Sequence, residues 1–411
     1  MFRRNYQSHL PLFDSSIFCL QLDFAFGNMK LKGQYLSFLL ILFVITNTIK
    51  LGDASKNNTI IKTIKSEDGD VIDCVDINHQ PAFDHPSLKG HIIKRKPSNH
   101  PSGVLPKSID DKKKEITQLW QLSGECPEGT IPIRRISEEQ RNAAKRPHHK
   151  TPPTVSNSDG KPAVNQLRHE YAYTYTPTGS YYGARATISA WQPFVERRNE
   201  FSLSQIWLVA GSGVNLNTIE AGWTVDPAVF GDYRTRLFVY WTRDGYQRTG
   251  CYNLRCSGFV QITNRMVIGG AVVTTGVQPE VTILIWKDVR QSVWWLQYNG
   301  VIVGYWPNSI FTLLKGTASL VEWGGEIINS NVNGIHTATD MGSGRFAQAG
   351  FRFASYFRNL LVVNNKNTLV FPPSIGSATT NSNCYNIAVG KSVNWGYYFY
   401  YGGPGRNLNC P

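Results

Sequence analysis

Three glutamates stand out in the 411-residue chain by the company they keep. Glu220 lies in NTIEAGWTV, and Glu322 and Glu326 lie in LVEWGGEII, so each is surrounded by Ile, Ala, Val, Trp and Gly. A carboxylate in an apolar, aromatic segment is costly to bury unless something pairs with it or uses it. Read as strands, these segments put Glu220 and Gly222 on one face, opposite Ile219, Ala221 and Trp223. In the second segment Glu322, Gly324 and Glu326 share a face, opposite Val321, Trp323 and Gly325. A glycine beside each carboxylate leaves open space in front of it, as a cleft floor requires, or marks a bulge that re-aims the side chain. Two facing carboxylates cannot both ionise readily, so one keeps its proton while the other acts as a base. The ionised member can activate a water, and the protonated one can polarise a carbonyl or protonate a leaving group. Such a pair cleaves peptide or glycosidic bonds best in acid. The same spacing also fits glutamates that face solvent or pair with arginine.

The other chemistry on offer is limited. From residue 169 onward there are two histidines, His169 and His336, and no HExxH, GxSxG, phosphate-loop or dinucleotide pattern. Neither a metal nor an organic cofactor is expected. Glu170, Glu196, Glu200, Asp232, Asp244, Asp288 and Asp340 lie in polar or turn contexts and are expected at the surface. Of the seven cysteines, six follow the main hydrophobic segment. Cys251 and Cys256, in CYNLRC, lack a second ligand pair nearby and read as a local disulfide rather than a zinc site. Cys74 is expected to pair with Cys126, and Cys384 with Cys410. The net charge of +13 is spread along the chain, with 24 Lys and Arg against 17 acidic residues up to Arg168 and 18 against 12 beyond it. No basic block is interleaved with aromatics, which argues against a nucleic-acid partner.

The elements that must hold these residues are strands. From His169 onward, short runs rich in Trp, Tyr, Phe, Val and Ile recur between Gly, Asn and Asp turns, and none sustains a helical period. Asn299-Gly300 between VWWLQY and VIVGYW is a hairpin signal, since both residues accept positive φ. FTLLKG (Phe311–Gly316) is the one segment that reads as a short helix. Many short strands without helical crossovers predict an all-β domain, an antiparallel β-sandwich or barrel.

The amino-terminal part differs. Tyr35–Ile49 is an apolar run preceded by a basic stretch that begins at Met29, which reads as a signal peptide with its start at Met29. Residues 1–54 are therefore an extension plus signal, without a stable membrane anchor after its removal. Asn57, in NNT, is a glycosylation acceptor motif. Residues 55–150 read as a small polar unit and 151–168 as an exposed linker, ahead of the domain at 169–411.

The chain resembles the neprosin family of plant secreted proteins. The resemblance is carried by TIKSEDGDVIDCVDINHQPAFDHPSLKGH and GECPEGTIPIRR in the amino-terminal unit. In the domain it is carried by HEYAY, FSLSQIWLVAGSGVNLNTIEAGWTV, TGCYNLRCSGFVQ, VGYWP, VEWGGEI, HTATDMGSGRF and YYGGPG. It implies an antiparallel β-sandwich peptidase domain behind a small inhibitory propeptide, cut within the linker. It further implies a monomeric, acid-active glutamic endopeptidase that cleaves on the carboxyl side of proline, secreted to the apoplast or the vacuole. By resemblance the two catalytic glutamates fall on Glu220 and Glu326, with Glu322 a neighbour. Trp223, Trp323 and Trp306 are candidate substrate-binding aromatics. A non-catalytic, carbohydrate-binding sandwich is the alternative reading, and a glycosidase the third.

Overall fold

The computed structural model describes residues 59–103, 118–138, 140, 167–274 and 278–411. The apolar segment Tyr35–Ile49, Asn57 and nearly all of the linker lie outside the described residues. Among the described residues, no helix is long and apolar enough to cross a membrane.

Three strands near the amino terminus, β1 (Ile60–Lys65), β2 (Val71–Asp76) and β3 (Thr130–Arg134), form a small antiparallel sheet. The Cys74–Cys126 disulfide ties this sheet to the Trp120 turn, and Ile64, Ile72 and Trp120 pack around it. Two larger antiparallel sheets follow. The first has seven strands: β4 (Arg168–Tyr175), β6 (Ser202–Ala210), β7 (Asn217–Val225), β8 (Arg236–Thr242), β9 (Cys251–Tyr252), β14 (Leu320–Asn329) and β17 (Gly376–Thr379). Their order is β17-β4-β14-β6-β7-β8-β9. The second has nine: β5 (Gly183–Ser189), β10 (Val260–Gln261), β11 (Glu280–Asp288), β12 (Val293–Tyr298), β13 (Val301–Pro307), β15 (Ser355–Val363), β16 (Leu369–Val370), β18 (Asn386–Ser392) and β19 (Gly396–Gly402).

The two sheets stack into a sandwich, because one apolar cluster draws on both. Ile219, Ala221 and Trp223 of β7 and Val321, Trp323 and Ile327 of β14 join Ile283, Ile285, Trp294, Leu296 and Tyr298 of the nine-stranded sheet. Polar bridges fix their alignment. The Tyr298 hydroxyl donates to the carbonyl of Phe238 at 2.8 Å, and Trp223 Nε1 donates to that of Ser189 at 3.0 Å. Asn299 and Gly300 join β12 to β13 with φ of 43° and 83°, the left-handed pair that a two-residue hairpin needs. Cys251–Cys256 and Cys384–Cys410 are disulfides.

Three expectations are corrected. Phe311–Gly316 is not helical; a short α-helix lies instead at α1 (Pro227–Phe230), with Asp226 accepting from the Val229 N–H as its cap. Glu170, Glu200 and Asp288 are buried rather than at the surface. Each has hydrogen-bond partners that offset the loss of water: Asn329 and His336 for Glu170, Ser330, Thr337 and Thr339 for Glu200, and Ser98 and Gln291 for Asp288. Trp223, Trp323 and Trp306 are all 0% exposed within the core between the sheets. They line no accessible surface, because strand alternation turns Trp223 and Trp323 away from the glutamates.

Asn58 to Pro411 form one compact unit, with the small sheet docked on the sandwich. Asp70 accepts from Arg236 at 2.8 and 3.0 Å and from Arg134 Nε at 2.8 Å. Residues 91–103 run over the nine-stranded sheet. Tyr305 accepts from the Lys94 N–H, Asp288 accepts from Ser98, and Trp286 Nε1 donates to the Asn99 carbonyl.

Candidate active site

Strand register decides which side chains meet. On the outer face of the seven-stranded sheet, Tyr240, Glu220, Trp207, Glu322 and Tyr175 form one row across β8, β7, β6, β14 and β4. The next row on this face is Phe238, Gly222, Gln205, Gly324 and Tyr173, and the one after it contains Leu203, Glu326 and Tyr171. All three glutamates thus share one face with an aromatic layer that includes Tyr171, Tyr173, Trp207, Phe238, Tyr240, Tyr246 and Tyr252. With strands about 4.8 Å apart, Glu220 and Glu322 have backbones roughly 10 Å from one another across Trp207. Glu326 lies further along β14, on the far side of Gln205.

The glycines of the middle row have a different role from the open space expected of them. β7, β6 and β14 pair without a register break, so Gly222 and Gly324 mark no bulge. A Cβ on Gly222 would run into the Ser204 carbonyl oxygen. One on Gly324 would stand 2.5 Å from both the Ala172 carbonyl oxygen and Tyr173 Cβ. These positions lack side chains because neighbouring backbone comes too close.

Each carboxylate is held by its own set of donors. Glu220, 0% exposed, accepts from the Tyr246 hydroxyl at 2.6 Å and the Thr218 hydroxyl at 2.8 Å, both on Oε1. Tyr246 comes from the Asp244-Gly245 turn. There Asp244 accepts from the backbone of Arg248 and Thr249 and from two threonine hydroxyls. Tyr246 has φ of 63°, a conformation unusual for an aromatic residue, and it is buried. Burial, and then the charge of Glu220, push its phenol well above the usual range, so it stays a donor. Burial and Glu322 act likewise on Tyr173.

Glu326 meets nitrogen donors instead. Gln205 Nε2 donates to Oε2 at 3.3 Å, and the His169 imidazole Nδ1 lies 2.5 Å from Oε1. The Gln205 side-chain oxygen, Oε1, is buried and has no hydrogen-bond partner among the described residues. His169, Gln205, Thr218 and Tyr246 escape a reading of the sequence alone. For His169 the signal was its alternation with Tyr171 and Tyr173 on β4. Nothing local marks Tyr246.

The second histidine is elsewhere. His336 pairs with Glu170 at 3.1 Å, and although burial opposes its charge, Glu170 outweighs this and raises the imidazole above its usual value. It also lies near the Cys384 and Cys410 sulfurs, but those are bonded to one another and so are not available as a metal site.

Two family profiles match the chain. One, described as Neprosin, covers residues 198–404, and one described as Neprosin activation peptide covers residues 63–175. Among solved structures, similarity is found to scytalido-glutamic peptidase bound to a peptide-based transition-state analogue, at 10% identity over 58% of this chain and 100% of that one, with a TM-score of 0.33. SCP-B, a member of the eqolisin family of peptidases in complex with the tripeptide Ala-Ile-His, matches at 9% identity over 58% and 100%, with a TM-score of 0.32. CG-16, a homodimeric agglutinin from chicken liver, matches at 10% identity over 42% and 98%, with a TM-score of 0.20.

Proposed function

The chain belongs to the neprosin family, and we propose that it is a secreted, acid-active glutamic endopeptidase made with an inhibitory activation peptide, cleaving after proline. The observation that carries this reading is the pair Glu220 and Glu326. Both are buried on one aromatic sheet face, and they are held by different donor sets. In this reading a water between them attacks the scissile carbonyl, one glutamate removing its proton and the other protonating the leaving nitrogen. Differing environments are what let two carboxylates divide acid and base work. The unpartnered Gln205 oxygen is an acceptor for a substrate N–H. The Tyr173 and Tyr240 rings, which keep slight exposure on this face, offer a proline ring flat apolar surface to pack on. The activation peptide is residues 55–150 in this reading, with the cut between 151 and 168.

Row register favours a second assignment of the partner, since Glu322 rather than Glu326 stands straight across from Glu220. The experiment therefore needs three variants. Wild type, Glu220→Gln, Glu326→Gln and Glu322→Gln are incubated in acid and at neutral pH with a proline-containing peptide, and the products are read by mass spectrometry. The proposal expects acid-dependent cleavage after proline that Glu220→Gln and Glu326→Gln each lower by at least about 100-fold, with Glu322→Gln within about tenfold. Loss in Glu322→Gln with retention in Glu326→Gln would transfer the role to Glu322. No cleavage by folded, processed wild type would leave a binding module.

A further inference from the structure

His169 has no role in the chemistry so far. It is the second residue of β4 and faces the same side of the sheet as Tyr171 and Tyr173, opposite Ile328 in the register and diagonal to Glu326. Its Nδ1 lies 2.5 Å from Glu326 Oε1, with side-chain exposure of 12% against 1% for the glutamate. The ring stands edge-on to Phe201 at 5.8 Å and stacks with Tyr171 at 6.3 Å, so its plane is set by packing on both sides. Of the groups facing the imidazole, Glu326 from β14 is the charged one, and the Tyr171 phenol is the titratable neighbour on its own strand.

We propose that His169 is a positioning residue of the site, its Nδ1 pairing with Glu326 so that this glutamate is held in the orientation of the base. The inference rests on the peptidase reading above. The contact lies on a mostly buried face, where polar pairs are weakly screened by solvent. Gln205 holds the other carboxylate oxygen. Glu326 is thereby fixed at both oxygens by nitrogen donors. Glu220 instead meets hydroxyl donors, Tyr246 and Thr218, both at Oε1. Environments that differ in this way separate the roles, with Glu326 removing the proton from water and Glu220 delivering one to the leaving nitrogen.

The test uses the full-length protein and two readouts. In the first, kcat and KM are compared for wild type and His169→Gln, which keeps a donor at this position but not the packed ring. The expected result is a loss on the order of tenfold in kcat, with KM within about twofold and unchanged Tm. In the second, the ring N–H resonances are recorded by NMR in wild type and Glu326→Gln, with the His169 signal identified by its absence in His169→Gln or His169→Asn. A low-field resonance from the imidazole–carboxylate contact is expected in wild type and should vanish in Glu326→Gln. An unchanged kcat, or a resonance indifferent to Glu326→Gln, would overturn the proposal. If wild type cleaves nothing, the resonance still decides whether the pair exists, and the peptidase reading is what falls.

Discussion

At the scale of single residues, the site is a set of carboxylates whose surroundings differ. Glu220 depends on Tyr246, which reaches it from a turn that Asp244 locks. Tyr246→Phe keeps the ring and removes the hydroxyl donor. Leaving a buried polar group without its partner costs about 1–3 kcal/mol, so kcat is expected to fall roughly 10- to 100-fold with KM little changed. Steady-state kinetics on the variant checks this, and an equal loss in KM alone would place Tyr246 in substrate binding instead. The three tryptophans expected at the subsites belong to the core. Trp223→Ala is accordingly expected to act on stability, costing about 3–5 kcal/mol, and the midpoint of denaturant unfolding reads it directly.

At the scale of elements, the close approach of β7, β6 and β14 is what brings the glutamates onto a common face. Gly222 permits the approach of β7 to β6 and Gly324 that of β14 to β4, since either Cβ would strike the neighbouring strand's backbone. Gly222→Ala is expected to destabilise by about 1–3 kcal/mol through overpacking. It should also lower activity beyond what partial unfolding explains, because it spreads the strands that carry Glu220 and Gln205. Thermal unfolding and residual activity on the folded fraction separate the two effects. The turn at Asn299-Gly300 and the cap at Asp226 are ordinary devices by comparison, and each was set by local chemistry.

At the scale of the whole molecule, the small amino-terminal sheet is joined to the sandwich by charge. Burial opposes the ionised form of Asp70, but hydrogen bonds and charge from Arg236, with help from Arg134, outweigh it and hold the carboxyl below its usual value. A depressed carboxylate contributes stability above its unfolded pKa that is lost only as pH falls through the lower folded value. Mild acid therefore leaves this contact intact. Asp70→Asn, by contrast, is expected to cost on the order of 3 kcal/mol, since it leaves the fully buried Arg236 short of a partner. Urea unfolding of the full chain near neutral pH measures it.

Two histidines of this sheet's connecting segment, His85 and His91, respond oppositely. His85, beside Trp241, and His91, on Tyr305, are lowered first by burial and then by Arg243 and Lys94 respectively. His85 Nδ1 also accepts from the Ser87 N–H, which a proton there would prevent. For a lowered histidine the unfolded form binds the proton more readily. The stabilising contribution is full above the ordinary value of about 6.5 and is lost as pH falls from there through the folded value. Tm should therefore drop between about pH 7 and pH 5, and a His85→Gln, His91→Gln double variant should flatten that drop. Differential scanning fluorimetry across this range tests it, and identical slopes would remove the histidines from the account.

The sequence by itself determined the all-β character, the hairpin at Asn299-Gly300 and the face alternation of β7 and β14. These follow from side-chain shape and a period of two, which act within a few residues. Its motifs also carried the family resemblance. What only the tertiary structure decided depends on partners far apart in the chain. Glu170 and Glu200 read as surface residues because their partners, His336, Thr337 and Thr339, come from 137 or more residues away. Trp223 and Trp323 read as subsite candidates because a sequence does not say which face of a sheet meets another sheet. His169 and Tyr246 had no visible place at the site, since the 157 and 26 residues separating them from Glu326 and Glu220 are closed only by sheet register and a buried turn. Local propensity chooses strands, and the pairing of distant strands chooses which carboxylate meets which donor.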